Sequence, residues 1–98
     1  MAEIRWTSEA ATWLEDIHNY IAQENPSAAA RVAQGIYNRV QSLGEFPDLG
    51  QRYRSEPEGD VRIPLFGHYR IAYLRYTAEE VVDILGVFHD ALDIDRYV

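Results

Sequence analysis

The side chains with chemistry to offer are arginines, histidines and tyrosines, and they are unevenly placed. The 98 residues carry sixteen acidic and nine basic side chains, for a formal net charge of −7, and every basic one is arginine. Residues 52–75 are the one stretch where basic residues outnumber acidic ones, with Arg52, Arg54, Arg62, Arg70 and Arg75 against Glu56, Glu58 and Asp60. Metal-free cleavage of RNA needs a base, an acid and cations around a phosphate, with the ribose hydroxyl as nucleophile. If the chain is a ribonuclease, its catalytic candidates are Arg62 and Arg70 for the phosphate, His89 as a proton shuttle near neutral pH and Tyr97 beside Arg96. Each has a plainer reading. His89 closes a strand and suits a structural hydrogen bond, and Arg70 suits a pair with Asp83 or Asp90.

Other chemistries find little here. The absence of cysteine removes disulfides and thiolate metal sites. His18, His68 and His89 lack zinc-ligand spacing, so no metal is expected. There is no phosphate-cradling glycine loop and no nucleophile elbow, and no cofactor is expected. Glu79-Glu80 reads as a solvated turn, and Asp90, Asp93 and Asp95 as an acidic tail. A charge of −7 opposes non-specific attraction to nucleic acid, so direct sequence-specific binding there is not expected. The start, MAEIRWTSEA, lacks the basic flank and apolar run of a signal peptide, and no apolar stretch is long enough to span a bilayer. No membrane partner is expected, and the cytoplasm is the expected compartment.

The elements that must position these residues follow from periodicity, and the length predicts a single domain over 1–98. Glu3–Trp6 reads as a strand, with Thr7-Ser8 supplying helix-capping chemistry. Ala10, Leu14, Ile17 and Ile21 make one apolar helical stripe that must stop near Glu24, before Asn25-Pro26. The same Asn-Pro starts a second helix, whose stripe is Ala29, Val32, Ala33, Ile36, Val40 and Leu43 and which ends at Gly44 and Pro47. Two amphipathic helices with almost no loop fold back as an antiparallel hairpin. A connection from Pro47 to Gly59 leads to three strands, Val61–Phe66, Tyr69–Tyr76 and Val81–His89. The expected fold class is α+β in the order β-α-α-β-β-β, the helical hairpin packed on one face of a small, mainly antiparallel sheet. Trp6 and Trp13 read as core.

Register decides which residues share a face. Closing the first sheet hairpin with Leu65 opposite Tyr69 collects Val61, Ile63, Leu65, Tyr69, Ile71, Tyr73, Val82, Ile84 and Phe88 on the helix side. The other side then presents Arg62, Arg70 and His89 over Ala72, Leu74, Leu85 and Val87, a cationic groove on an apolar floor. A two-residue turn at Gly67-His68 would place Arg62 beside Tyr73 and break that segregation, so the first register is preferred. The expected partner-binding set is Arg62, Arg70, Leu74, Leu85, His89 and Arg96.

The opening strand, "WLEDIHNYIAQENPSAAARVAQGI" across the helices, "SLGEFPDLGQRYR" after them, "VRIPLFGHYRIAYLRY" and "VVDILGVFHDALD" together resemble the ParE/RelE toxin superfamily, the ParE branch in particular, over almost the whole chain. The resemblance implies a type II toxin, a plasmid-stabilization type of module, neutralised by a small cognate antitoxin in a hetero-oligomer. ParE-like members poison DNA gyrase, whereas RelE-like members cut messenger RNA on the ribosome. The expected function is gyrase inhibition without enzymatic activity. The alternatives are a RelE-like ribonuclease and a detoxified, antitoxin-binding relative. The last alternative arises from one departure: where the family ending carries arginine three residues after the histidine, this chain has Leu92.

Overall fold

The computed structural model describes residues 1–98 as strand β1 (Glu3–Trp6), helices α1 (Ser8–Ala22) and α2 (Pro26–Gln41), then strands β2 (Arg52–Glu56), β3 (Gly59–Arg62), β4 (Leu65–Phe66), β5 (Tyr69–Tyr76) and β6 (Val81–His89). Short 3-10 turns follow α2 (Ser42–Gly44) and β6 (Ile94–Arg96). Both helices start where the capping chemistry requires. The Thr7 hydroxyl accepts the Ala10 amide at 3.1 Å and donates to the Ile84 carbonyl at 2.6 Å, so the cap also ties α1 to β6. Asn25 accepts from the Ala28 amide at 3.1 Å, with Pro26 opening α2. Only Gln23–Asn25 separate the helices, which forces the hairpin.

The sheet runs β1-β6-β5-β3-β2, with β4 continuing the line of β3 against β5. β1 lies parallel to β6 and the other pairs are antiparallel. The α+β layout is as expected, with one strand more than the sequence signals. β2 falls in the stretch assigned to a connection because RYRSE has no alternating apolar face. It is an exposed edge strand held by backbone pairing to β3 across a turn at Pro57-Glu58. The strand expected at Val61–Phe66 begins at Gly59 and breaks at Ile63-Pro64, where proline has no N–H to pair. No helix is long and apolar enough to cross a membrane.

The preferred register is corrected. Phe66 pairs with Tyr69 and Leu65 with Arg70, so the hairpin closes through the two-residue turn Gly67-His68. Gly67 has φ +57°, the backbone conformation that a two-residue hairpin with glycine first requires. Arg62 consequently sits opposite Tyr73, on the helix side of the sheet. A second irregularity lies in β6. The pairing shifts between Ala72–Gly86 and Tyr73–Ile84, leaving Leu85 as the extra residue of a bulge. Alternation therefore inverts along β6: Val82, Ile84 and Val87 join the helix-side core, while Phe88 turns to the other face. The expected sides of Val87 and Phe88 are thus exchanged.

The main core joins Ala10 of α1, Ile36 and Val40 of α2 and Leu43 to Ile71, Tyr73, Val82, Ile84 and Val87. A smaller core on the opposite face joins Ala72, Phe88 and Ile94, with Ile63, Leu85, Leu92 and Val98 packed around it. The C-terminal segment makes this second core. Ile94 lies over the sheet, and the ring of Tyr97 sits 5.5 Å from Phe88 and 5.2 Å from Trp13. Both faces of β5 and β6 are therefore covered, and the open apolar floor expected on the far side is largely occupied by the chain's own tail.

Candidate partner-binding site

Two groups of polar contacts fasten loops to the sheet. On the helix side, Arg62 donates Nη1 to the carbonyls of Asp48 (3.0 Å) and Gly50 (2.9 Å). The Tyr73 hydroxyl lies between the carbonyl oxygens of Pro47 and Leu49, and Arg75 Nε meets the Asp48 carboxylate at 2.6 Å. Burial pushes the Tyr73 hydroxyl pKa well up, so it stays a proton donor. Three side chains from β3 and β5 thus grip the loop 47–50. Sequence reasoning gave Tyr73 only a packing role, because nothing in its spacing from Pro47 or Leu49 signals the contact.

On the far face, Arg70 donates Nη2 to the carbonyls of Asp90 (2.9 Å) and Leu92 (3.4 Å), and Arg54 donates to the carbonyl of Val98 (2.7 Å). These two arginines hold the tail at both ends. Arg70 accordingly pairs with the Asp90 backbone rather than with a carboxylate, and Asp83 has a different partner. Arg5 binds Asp83 through Nε at 2.7 Å and Nη2 at 3.2 Å, while the Tyr76 hydroxyl donates to the same carboxylate at 2.6 Å. The Arg5 hydrogen bond, opposed by partial burial and helped by Tyr76, holds the Asp83 carboxyl below its ordinary range. A lowered folded pKa stabilises above the unfolded value of about 4 and is lost as pH falls through the folded value. Urea midpoints measured at pH 7 and pH 3 should therefore fall further for the natural protein than for Asp83→Asn. Parallel falls would remove the network from the acid sensitivity.

The predicted site residues do not form one constellation. Arg70, Leu74 and Leu85 share the far face, where Leu74 stands opposite Asp83 and Leu85 edges the second core. Arg62 and His89 belong to the helix side by register, opposite Tyr73 and Tyr69. His89 packs edge-on against Tyr69 at 5.6 Å, and its Nδ1 accepts the Ala91 amide at 3.1 Å, the strand-end role. Arg96 is exposed on the tail and 3.6 Å from Asp93. Leu92, the departure from the family ending, packs against the second core and helps seat the tail. The groove expected to join Arg62, Arg70 and His89 is therefore not present, because the turn places Arg62 and the bulge places His89 on the other side of the sheet.

Arg39 was missed. It lies in the last turn of α2 with its guanidinium 5.8 Å above the Phe66 ring. Together with Arg70 it bounds a groove of about 550 Å³ between α2, the loop after it and β4. No acidic residue lines this groove. The only signal in the sequence was the absence of a carboxylate three or four residues from Arg39 on its own helix.

A helical hairpin on one face of a small mixed sheet is the architecture of the ParE/RelE class of small toxins. Residues 4–94 match the family described as ParE toxin of type II toxin-antitoxin system, parDE, and the chain belongs to that family. It is 34% identical over 91 residues to Toxin RelE2 of Caulobacter vibrioides, covering 93% of this chain and 98% of that protein. In three dimensions it resembles a chain of the chromosomal ParDE system from P. aeruginosa, with a TM-score of 0.73 at 20% identity over 91% of this chain and 96% of that one. It also resembles a chain of the toxin-antitoxin complex RelBE2 from Mycobacterium tuberculosis, with a TM-score of 0.59 at 25% identity over 90% and 96%. The protein is a type II toxin of the ParE/RelE superfamily.

Proposed function

We propose that the chain inhibits DNA gyrase, in the manner its ParE resemblance implies, and that a cognate antitoxin neutralises it in a hetero-oligomer in the cytoplasm. The observation that carries the non-enzymatic reading is the dispersal of the four groups a metal-free ribonuclease would need around one phosphate. Arg62 is committed to the carbonyls of Asp48 and Gly50, and Arg70 to those of Asp90 and Leu92. His89 faces Tyr69 on one side of the sheet, and Tyr97 packs on Trp13 and Phe88 on the other. The antitoxin reading is supported by the likeness to chains solved as part of a ParDE system and of a toxin–antitoxin complex.

The test is induced expression in a bacterial host, with and without the small reading frame beside this gene. The expected result is growth arrest with filamentous cells and broken DNA, relieved by the neighbour, and loss of supercoiling by purified gyrase. A ribonuclease is the second reading, favoured by the 34% identity to a protein named RelE2. It predicts rapid translation arrest, abolished by changes at Arg62 or His89 that leave antitoxin binding intact, and by changes at Arg70. No arrest at all would leave a detoxified, antitoxin-binding relative, with Leu92→Arg the first reversion to make.

A further inference from the structure

We propose that the groove between Arg39 and Arg70 is a docking site for an extended protein segment that carries carboxylates on either side of an apolar anchor. The proposal rests on the antitoxin reading above for the identity of that partner, and it deepens that reading by placing one of its contacts.

Charge makes the first argument. Six of the nine arginines have a carboxylate within 4.0 Å: Arg5, Arg52, Arg54, Arg62, Arg75 and Arg96. In a chain with sixteen acidic residues, only Arg31, Arg39 and Arg70 are left without one. Two of those three line the same groove, which has no acidic residue in its wall. Arg70 gives only Nη2 to the chain's own carbonyls, those of Asp90 and Leu92. A guanidinium left without a carboxylate is a strong, directional donor set for one supplied from outside.

The floor makes the second argument. Between the two arginines lie Leu49, Ile63 and the exposed side chains of Tyr53 (38% exposed) and Leu65 (60% exposed). Leu65 projects from a sheet element where a large aliphatic residue ordinarily finds cover, and an apolar side chain from a partner would provide it. A polyanionic backbone has no use for that floor, and the chain's net charge of −7 opposes one.

Backbone geometry makes the third. The Ile71 amide donates to the Pro64 carbonyl, which marks that position as a hydrogen-bonded pair. Pairs alternate along an antiparallel ladder, so Leu65, paired with Arg70, is in the non-bonded position and turns its N–H and C=O away from β5. β2 flanks β3 from Arg52, and ahead of it Gln51 accepts the Ile63 amide, but no backbone hydrogen bond reaches Leu65 from that side. The edge of β4 at Leu65 therefore offers one donor and one acceptor into the groove, the start of a strand-addition site. Two guanidinium groups, an apolar floor and a free strand edge together fit an extended acidic and apolar peptide.

The test measures binding of the purified product of the neighbouring reading frame to the full-length toxin by calorimetry. Arg39→Glu is expected to weaken binding by about tenfold or more, since it removes a charge-assisted contact and adds a like charge. Arg31→Glu, at the other arginine without a carboxylate, is expected to change it by about twofold or less. Hydrogen exchange of the natural complex, which involves no variant, should show the Leu65 amide slowed relative to the free toxin. Unchanged affinity for Arg39→Glu together with an unprotected Leu65 amide would overturn the groove while leaving the antitoxin reading standing. A natural toxin that does not bind the neighbour's product would overturn both. Tight binding of a single-stranded oligonucleotide, lost in Arg39→Glu, would assign the groove to nucleic acid and overturn the peptide proposal.

Discussion

Phe88→Ala is expected to lower the unfolding free energy by about 3–5 kcal/mol, the range for removing a large ring from a packed interior. Phe88 is only 1% exposed although it lies outside the main core, in the smaller one on the opposite face of the sheet. Its ring packs against Ala72 and Ile94, meets Trp13 edge-on at 4.7 Å and stacks on Tyr97. Space for the ring exists because Gly86 has no side chain, as a Cβ there would lie 2.3 Å from the ring carbon Cζ. Alanine at 88 leaves Ile94 and Tyr97 without a surface to close on, so the tail should come loose as well as the core weaken. Chemical denaturation gives the first number, and proteolysis after Arg96 reports the second. A loss under about 1 kcal/mol, the scale of a surface change, would mean that the tail core carries little of the stability.

Gly59→Ala should be at least as damaging, about 3 kcal/mol or more, although it adds a single methyl group. A Cβ at Gly59 would lie 1.9 Å from the Arg75 carbonyl oxygen and 2.8 Å from its carbon. These are backbone atoms of the neighbouring strand and cannot swing aside. The only relief is separation of β3 from β5, which would take β2 with it, since β2 pairs with β3 alone. At about 4–8 °C per kcal/mol for a domain of this size, the melting temperature should fall by roughly 10 °C or more. Gly67→Ala is the comparison: it strains a positive φ but meets nothing within 4 Å, and should cost about 1 kcal/mol. Equal effects at the two positions would mean that β3 and β5 adjust freely.

The helices were legible because their signals are local. Thr7 and Asn25 cap as their sequence contexts indicate, and Ala10, Ala29, Ile36, Val40 and Leu43 are buried along the expected stripes. The site was less legible because its geometry depends on two one-residue events in the sheet. Both left marks in the sequence. Gly67-His68 has glycine first, as a two-residue hairpin wants, and Gly86 interrupts β6 beside the bulge. The preferred register passed over the first mark in favour of one apolar and one solvated face. That criterion fails here because Ile94, Leu92 and Val98 cover the second face. With apolar residues wanted on both sides, alternation no longer distinguishes the registers, and turn chemistry decides. β2 was invisible for a related reason: an exposed edge strand buries nothing, so it leaves no hydrophobic pattern to read.

The parallel pairing of β1 with β6 bears on how the protein comes into being on the ribosome. Glu3–Trp6 precede both helices in the chain, yet their only strand partner is Val81–Ile84, and the Arg5–Asp83 ion pair spans 78 positions. Until that late segment emerges, the opening strand has nothing to add to, and the central strands β5 and β6 cannot assemble. Such distant pairing makes closure a late event. At about 5–20 residues per second, the 78 positions from Arg5 to Asp83 take several seconds to synthesise, during which no completed sheet exists. The surfaces that depend on β5 and β6 are therefore withheld from every nascent fragment that stops short of residue 84. A ribosome that aborts early on this message releases a chain without the finished fold.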